Sequence, residues 1–583
     1  MKTTVTKLAR AQAGQSILLV LIVSTFTFAI LGGLFKWTFS NSSNNLRNNQ
    51  YFRSSAAAEA ATEKVITSLA SDYQNDGEAL VMTKLNAYRA LVPNRNESAV
   101  WGKYEFSDGE GNLGQTYVKD LPPAEFKVLN SQYAGLSGYA TAFRIISNAR
   151  DTKSPYNIVS AVRQDIQVAT IPIFQFAIFY NLDLEINPGP DMTVTGPVHC
   201  NKTTYLDPES TLTFKSDVTS VGAINMYRKD GGPNSSGPVV FTIKPRTGVS
   251  TLKLPIGTNN NPIAVREIVE PPPPFESPTS PLGKQRYFNK PDTDMVVVVR
   301  DSGTVVTSGM VNHNAALVLS NEFSLFLTNV SFYNKREGKT VKAVQIDVGK
   351  LRTWDATNKT LFPLMSTNSH IRTVYVADQR TQTSSTESGV RVVNGKNILP
   401  LGLTIATPNP LYVQGHYNCS NSVHLATTNT SQTLPASLVG DSITVLSEAW
   451  NDDNSNKPLG SRTAAPTTVN AAFLAGIVQT VPGGPSTSYS GGVENFPRFL
   501  ENWSGKAFNY NGSMVVMYDS KYATGKWMGT GGGGFDIYNP PTRVWTFDTN
   551  FRIATKLPPG TPVLRALIRG EWVTMRPNTT AVN

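Results

Sequence analysis

Residues 17–35 read ILLVLIVSTFTFAILGGLF, a run of 19 residues without a charged side chain. One helix of this length spans the hydrocarbon core of a bilayer, which is about 30 Å thick. Lys2, Lys7 and Arg10 precede the run, and the first acidic residue of the chain is Glu59. This charge asymmetry predicts a single-pass protein whose N-terminus stays in the cytoplasm and whose remaining residues are exported.

The apolar run differs from a secretory signal peptide. Such a peptide has an apolar stretch of about 7–15 residues, followed by small residues at the cleavage site. Here the run is longer, and the small residues Ala11, Ala13 and Gly14 precede it. A plain membrane anchor stays open as an alternative.

A helical period continues beyond the run. Small and apolar residues recur at spacings of three and four through residues 51–73, the period of an amphipathic helix. They are Tyr51, Ser54, Ala58, Ala61, Val65, Leu69 and Tyr73. The sequence therefore predicts one helix that leaves the bilayer and then buries a single face.

The basic leader ending in Gly14, the apolar run and the stretch AAAEAA (56–61) together resemble the N-terminus of type IV pilin-like proteins, especially the PilX-type minor pilins. The resemblance implies an inner-membrane protein with a periplasmic C-terminal region. It implies a prepilin peptidase that cuts after Gly14 and leaves Gln15 first. The implied partners are other pilin-like subunits, the assembly machinery and inner-membrane lipid.

Two positions depart from the major-pilin pattern. Major pilins begin with a methylated Phe or Met and carry Glu at the fifth mature position, where this chain has Gln15 and Leu19. In that family the carboxylate is thought to neutralise a neighbour's terminal amine inside the apolar filament core, where an unpaired charge is costly. The large tip pseudopilin of type II secretion systems also lacks this Glu. Leu19 thus favours a tip or initiating subunit, and it leaves open an unprocessed leader.

The composition predicts an exported protein rich in β structure. Of the 583 residues 16% are charged, while Gly and Pro number 44 and 37, a balance typical of turn-rich β proteins. The net charge of +10 is spread along the chain. An ordinary solvated surface is therefore favoured, and nucleic-acid binding is not expected.

The predicted fold class is α+β to mainly β. We expect a leader (1–14), a transmembrane and amphipathic helix (15–73), an α/β head with antiparallel strands (74–180), the first part of a β-solenoid (181–269), a proline-rich linker or excursion (270–291), the second part of the solenoid (292–450) and a mixed capping region (451–583). A β-sandwich is the alternative to the solenoid. In the last segment Phe496, Phe499, Leu500 and Trp503 have helical spacing and predict a short capping helix.

The two cysteines have similar contexts. Cys200 lies in TVTGPVHCNKTTYL and Cys419 in YVQGHYNCSNSVHL, which predicts equivalent turns of a repetitive structure. A disulfide between them is left open, since exported proteins keep such bonds. A zinc site with His199 and His416 is disfavoured because the paired ligand spacings are absent, and no metal site is predicted.

The sequence carries no pattern for catalysis. Gly338-Lys339-Thr340 would need a Gly at position 333 to form a phosphate loop, and that position is Tyr333. A G-x-S-x-G elbow is also absent. We therefore expect no catalytic residue, no cofactor and no enzyme activity.

Further stretches, such as FQFAIFYNLDLEINPGPDMTVTGPVHCN, resemble large PilX-type proteins of environmental Gram-negative bacteria. The resemblance implies a structural minor or tip pilin of a type IV pilus or a type II secretion-like filament, used for assembly and surface adhesion. The main alternative is a membrane-anchored periplasmic β-helix enzyme acting on carbohydrate, and a third is a DNA-uptake pilin.

Overall fold

Helix α1 (Thr6–Asp76) runs for 71 residues, about 107 Å at 1.5 Å per residue. The computed structural model describes residues 6–121, 125–129, 133, 136–290, 293–308, 316–317, 325–357, 370–481, 489–530 and 536–578. The other helices are short: α2 (Glu78–Thr83), α3 (Leu85–Arg89), α4 (Pro262–Arg266) and α5 (Val348–Thr357).

The second half of α1 buries one face, as its period predicts. Ser54, Ala58, Ala61, Val65, Leu69 and Tyr73 are at most 2% exposed, whereas Tyr51 is 37% exposed. The small side chains of this face let the helix lie close to a sheet. The prediction of one helix with an apolar face is confirmed for residues 54–73.

That face packs on an antiparallel sheet, which we call the head together with α1 to α3. Its first strands are β1 (Tyr104–Ser107), β2 (Tyr117–Asp120), β3 (Glu125–Val128), β4 (Ser137–Asp151) and β5 (Val159–Pro172). Strands β1, β2 and β3 each pair with β4, and β5 pairs with β4 along its whole length. The antiparallel strands predicted within residues 74–180 are present as far as Pro172, whereas Ile178–Tyr180 at the end of that range forms a parallel strand.

A body of short parallel strands follows. The strands of its first ladder are β6 (Ile178–Tyr180), β7 (Leu184–Ile186), β8 (Met192–Val194), β9 (Val198–Cys200), β10 (Thr204–Leu206), β11 (Leu212–Phe214), β12 (Val218–Ser220), β13 (Ile224–Asn225), β14 (Val239–Phe241) and β15 (Arg246–Thr247). Every third strand pairs in parallel, so β6, β9 and β12 form one face, β7, β10 and β13 a second, and β8, β11 and β14 a third.

Side chains stack between successive turns of this ladder. Asn201 donates its amide N–H to Oδ1 of Asn181 at 2.9 Å, across 20 positions of sequence. The rings of Phe214 and Phe241 stack 5.1 Å apart with an interplanar angle of 7°. Equivalent positions of neighbouring turns thus carry similar residues and contact each other.

The second ladder contains β16 (Thr293–Arg300), β17 (Gly303–Ser308), β18 (Ala316–Leu317), β19 (Phe326–Asn334), β20 (Lys339–Asp347), β21 (Thr373–Asp378), β22 (Thr386–Val393), β23 (Leu403–Ala406), β24 (Leu411–Gln414), β25 (Ala436–Gly440), β26 (Ile443–Leu446), β27 (Thr467–Ile477), β28 (Pro497–Phe499), β29 (Ala507–Asp519) and β30 (Thr542–Phe547). From β21 to β29 the chain alternates between two parallel sheets. Strand β29 also pairs in parallel with β6, so the two ladders share one sheet.

The predicted helix around Phe496 is wrong. Residues 497–499 form β28, which extends the parallel sheet beside β26. Phe499 and Trp503 are buried at 1% and 0% exposure, and their rings lie 5.4 Å apart. The spacing of three and four comes from a strand and the turn after it, which face the same interior.

The proline-rich residues 270–290 form no regular element but pack on the body. Arg286 is 1% exposed and donates to the carboxylates of Glu267 at 2.8 Å and Glu276 at 2.9 Å. The ring of Phe288 packs edge-to-face against Tyr375 of β21, with the ring centroids 5.4 Å apart. Charged and aromatic side chains therefore fix this segment.

The last strand, β31 (Val563–Met575), returns to the head and pairs antiparallel with β5, from Val563 opposite Pro172 to Met575 opposite Ala161. The chain enters and leaves the body side by side, since Ile173 donates its N–H to the Pro562 carbonyl at 3.0 Å. The body is thus inserted between two paired strands of the head. The segment 451–583 is divided accordingly between the second ladder and the head.

Candidate assembly interface

The first half of α1 stands free of the head. Within Ser16–Asp76 the most apolar 18-residue window has a mean hydropathy of 2.5 and no buried residue. By length and composition this is the single helix in the described part of the chain that could cross a membrane. The large apolar side chains of the predicted span Ile17 to Phe35 are 42% to 74% exposed.

The two threonine hydroxyls of the span are satisfied within the helix. Thr25 donates its hydroxyl to the Leu21 carbonyl at 2.6 Å, and Thr27 donates to the Val23 carbonyl at 2.8 Å. A Cβ built on Gly32 or Gly33 would meet no atom within 4 Å. The span therefore offers lipid an apolar surface, and its glycines allow a neighbouring helix to approach closely.

The predicted cleavage residues lie in the same helix. The backbone of Gly14 and Gln15 is helical and continuous with the span. Leu19, where major pilins carry Glu, is 65% exposed. Cleavage after Gly14 stays a prediction.

Strand β31 fixes the end of α1 to the head. Arg565 donates to the carbonyls of Tyr73 at 3.1 Å and Gln74 at 2.9 Å, which are among the last carbonyls of the helix. Arg569 donates to Oε2 of Glu63 at 2.9 Å, and this bond lowers the pKa of the Glu63 carboxyl. Cations at a helix C-terminus complement its dipole, so the anchoring half of α1 cannot shift along the sheet without breaking these contacts.

The structure does not join the two cysteines. Both thiols are free and buried, and burial raises the pKa of each to about 11. Cys200 Sγ lies 3.3 Å from the Leu182 carbonyl, and Cys419 Sγ lies 3.9 Å from the Thr468 carbonyl. Cys200 ends β9, whereas Cys419 follows β24 in the other ladder, so their similar contexts are not equivalent turns.

The two histidines of the zinc alternative are held by structural partners. His199 hydrogen-bonds Thr219 and Asn201, both at 2.9 Å, and burial lowers its pKa to about 4. His416 accepts a hydrogen bond from the Thr468 N–H at 3.0 Å. Within the described ranges no three His, Cys, Asp or Glu side chains are grouped for metal binding.

Burial raises the pKa of several carboxyl groups of the body, three of them to near neutrality. Desolvation raises the pKa of Glu387, Glu494 and Glu501 to about 7. Glu501 accepts hydrogen bonds from the Ser447 N–H at 2.6 Å and its hydroxyl at 2.7 Å. Glu387 accepts from the Tyr412 hydroxyl at 3.1 Å. The partners of these groups belong to turns and strands of the body.

We expect the stability of the body to fall as pH rises through neutrality. The folded pKa of Glu501, about 7, lies above its ordinary value of 4.5, so the folded state binds the proton more tightly and loses this advantage between about pH 4.5 and 7. Glu501→Gln should reduce the fall in the free energy of unfolding between about pH 4.5 and 7, measured by urea titration at each pH, by up to about 3 kcal/mol. Glu209→Gln, at an exposed carboxylate, is the control. An equally steep fall in both variants would contradict the assignment.

Comparisons with known proteins do not assign the chain to a family. No family model and no curated protein matches the chain. Among solved structures it is similar to the competence-associated pilin ComZ from Thermus thermophilus, at 9% identity, covering 90% of this chain and 97% of that one. The TM-score of 0.27 is too low to show a shared overall fold.

Proposed function

We propose that the protein is a membrane-anchored, pilin-like subunit, a PilX-type minor or tip pilin of a type IV pilus or a type II secretion-like filament. The observation that carries this proposal is helix α1. Its first half is apolar and exposed, and its second half is docked on an antiparallel sheet. Such a helix can first be solvated by lipid and later pack against like helices of neighbouring subunits.

The proposal includes location and partners. The N-terminus lies in the cytoplasm, α1 crosses the inner membrane, and the head and body lie in the periplasm or on a surface filament. Other pilin-like subunits contact α1, and a prepilin peptidase cuts between Gly14 and Gln15. The protein catalyses no reaction, and the body serves surface contact.

The body supports a tip position. Its parallel ladders, with partners 20 positions apart in the first ladder, favour a β-solenoid over a β-sandwich, whose sheets are antiparallel. A solenoid of this length inserted into the head is too large for a regularly stacked subunit. Leu19 also supports a tip position, because a subunit at the tip has no neighbour whose terminal amine a Glu at this position would neutralise.

Cleavage of the leader tests the proposal. Co-expression with a prepilin peptidase should shorten the wild-type chain to a new N-terminus at Gln15, as measured by intact-mass spectrometry of membrane extracts. Gly14→Trp should stay at full length, because the bulky side chain blocks the scissile position.

Gly33→Ala is the matched control, since a Cβ at Gly33 meets no atom within 4 Å, and this variant should be processed like the wild type. An unprocessed wild type that also fails to co-purify with pilin-like subunits would overturn the proposal. Processing without co-purification would overturn the assembly role alone.

A further inference from the structure

A polar groove of about 500 Å³ lies on the second ladder. This volume is within the usual range of ligand sites, about 300–1,000 Å³. Helix α5 forms one wall, and the turns after β22, β24 and β26 form the rest. The groove lies on the body, away from the membrane helix and its docking contacts.

The groove crosses three turns of the ladder. Val392, Val413 and Val445 are parallel partners on β22, β24 and β26, so the residues after these strands follow one another at about 4.8 Å per turn. Asn394 lines the groove at the first of these turns, His416 at the second and Glu448 at the third. A linear polymer along the groove would therefore meet polar groups of three successive turns.

The floor of the groove is held in place. Asn394 donates its amide to Asp347 at 2.9 Å, and Gln414 donates to the Trp450 carbonyl at 3.3 Å. His416 accepts from the Thr468 N–H at 3.0 Å, which directs its Nε2 toward the Glu448 carboxylate at 3.7 Å. Side chains fixed before binding lose little conformational entropy when a ligand arrives.

Two cations flank this floor. Arg352 of α5 and Lys396 are exposed, and neither has an ion-pair partner among the described residues. Glu448 is the acidic residue of the lining. The lining contains no Phe, Tyr or Trp side chain on which a nucleic-acid base could stack. Two cations against one carboxylate in the lining favour an anion, since the neighbouring Asp347 carboxylate already accepts hydrogen bonds from Asn394 and from the Lys350 N–H. The amides and the Glu448 carboxylate favour hydroxyl groups.

We propose that this groove binds a short acidic oligosaccharide. Arg352 and Lys396 pair with its carboxylates, and Asn394, Gln414 and Glu448 hydrogen-bond its hydroxyls. The inference deepens the surface-contact role and rests on the proposed function in placing the body outside the cytoplasm.

Calorimetric titration of the full-length protein in detergent micelles with trigalacturonate tests this site. We expect binding that weakens as sodium chloride is raised and that falls at least about tenfold in the double variant Arg352→Gln, Lys396→Gln. The double variant Lys342→Gln, Lys350→Gln removes two exposed lysines of β20 and α5 that lie outside the groove, and it should bind like the wild type.

The proposed site would be wrong if the wild type does not bind trigalacturonate at millimolar concentration, or if both double variants lose affinity equally. It would also be wrong if neutral maltotriose binds with the same affinity as trigalacturonate. Tighter binding of a thymidine oligonucleotide, abolished in the double variant of the groove, would show that the groove binds nucleic acid instead. The titration does not depend on leader cleavage or assembly, so its failure is distinguishable from failure of the proposed function.

Discussion

Ending the chain at Pro562 should destabilise the head and loosen α1, although the residues removed lie at the far end of the sequence. The deletion removes β31, which covers the free edge of β5. It also removes Arg565 and Arg569, whose bonds to Tyr73, Gln74 and Glu63 hold the helix. We expect the amides of β5 and of residues 54–73 to lose their protection together.

The expected loss of stability is large because one face of β31 is buried in the core. Leu564 and Ile568 are 0% and 2% exposed, and burying each such side chain stabilises by about 1.5–3 kcal/mol. These two contribute about 3–6 kcal/mol before the hydrogen bonds to β5 are considered. Hydrogen exchange followed by mass spectrometry would measure the change segment by segment, with the body as internal reference.

A chain ending at Asn578 is the control. It retains all of β31 and the hydrogen bond from the Asn578 N–H to Asn148 at 3.0 Å, so its exchange pattern should match the wild type. If the chain ending at Pro562 protects β5 and α1 as well as the control does, β31 is not part of the head.

Local sequence patterns predicted the long helix and the strands of the head, but they could not predict which distant strands pair with each other. The helical period of residues 51–73 relates positions three and four apart, so one window of sequence contains the whole signal. Strand β31 alternates the buried Leu564, Ala566 and Ile568 with Arg565, Leu567 and Arg569 on its other face, a period of two that indicates a strand with one buried face. The alternation does not indicate that β31 pairs with β5, because this pairing depends on the path of the inserted body between the two strands.

The membrane span and the groove also differ in how far the sequence could predict them. The membrane span could be identified from composition alone, since lipid imposes a continuous apolar length. The similar contexts of Cys200 and Cys419 predict a repeat that relates the two ladders, whereas the 20-residue register within the first ladder appears in Asn181 and Asn201. Arg352 and Lys396 of the groove belong to separate elements, so their proximity could not be inferred from sequence.

Replacing Asp441 should give the largest effect of any single substitution in the body. This carboxylate is fully buried in the turn between β25 and β26. Its Oδ1 accepts from Arg266 at 2.7 Å and from the Lys521 N–H at 2.6 Å. Its Oδ2 accepts from the N–H groups of Tyr522 at 3.1 Å and Ala523 at 2.7 Å. One side chain thus joins α4, a turn of the ladder and the segment after β29.

Asp441→Ala should lower the free energy of unfolding by about 3–5 kcal/mol, because it leaves the Arg266 charge buried without this partner, and three backbone N–H groups lose their acceptor. The urea midpoint, followed by tryptophan fluorescence, measures the loss. Asp453→Ala changes an exposed carboxylate of the same ladder and should stay within about 0.5 kcal/mol of the wild type.

A double-mutant cycle separates the ion pair from the turn. If Asp441 acts mainly by neutralising Arg266, the variant Arg266→Ala, Asp441→Ala should lose clearly less stability than the sum of the two single variants, because no buried charge remains unpaired. If the losses add, the carboxylate acts chiefly through the three N–H groups at residues 521–523. If Asp441→Ala has the urea midpoint of the wild type, both explanations are wrong, because the Arg266 guanidinium and the three N–H groups would then need no acceptor at this buried position.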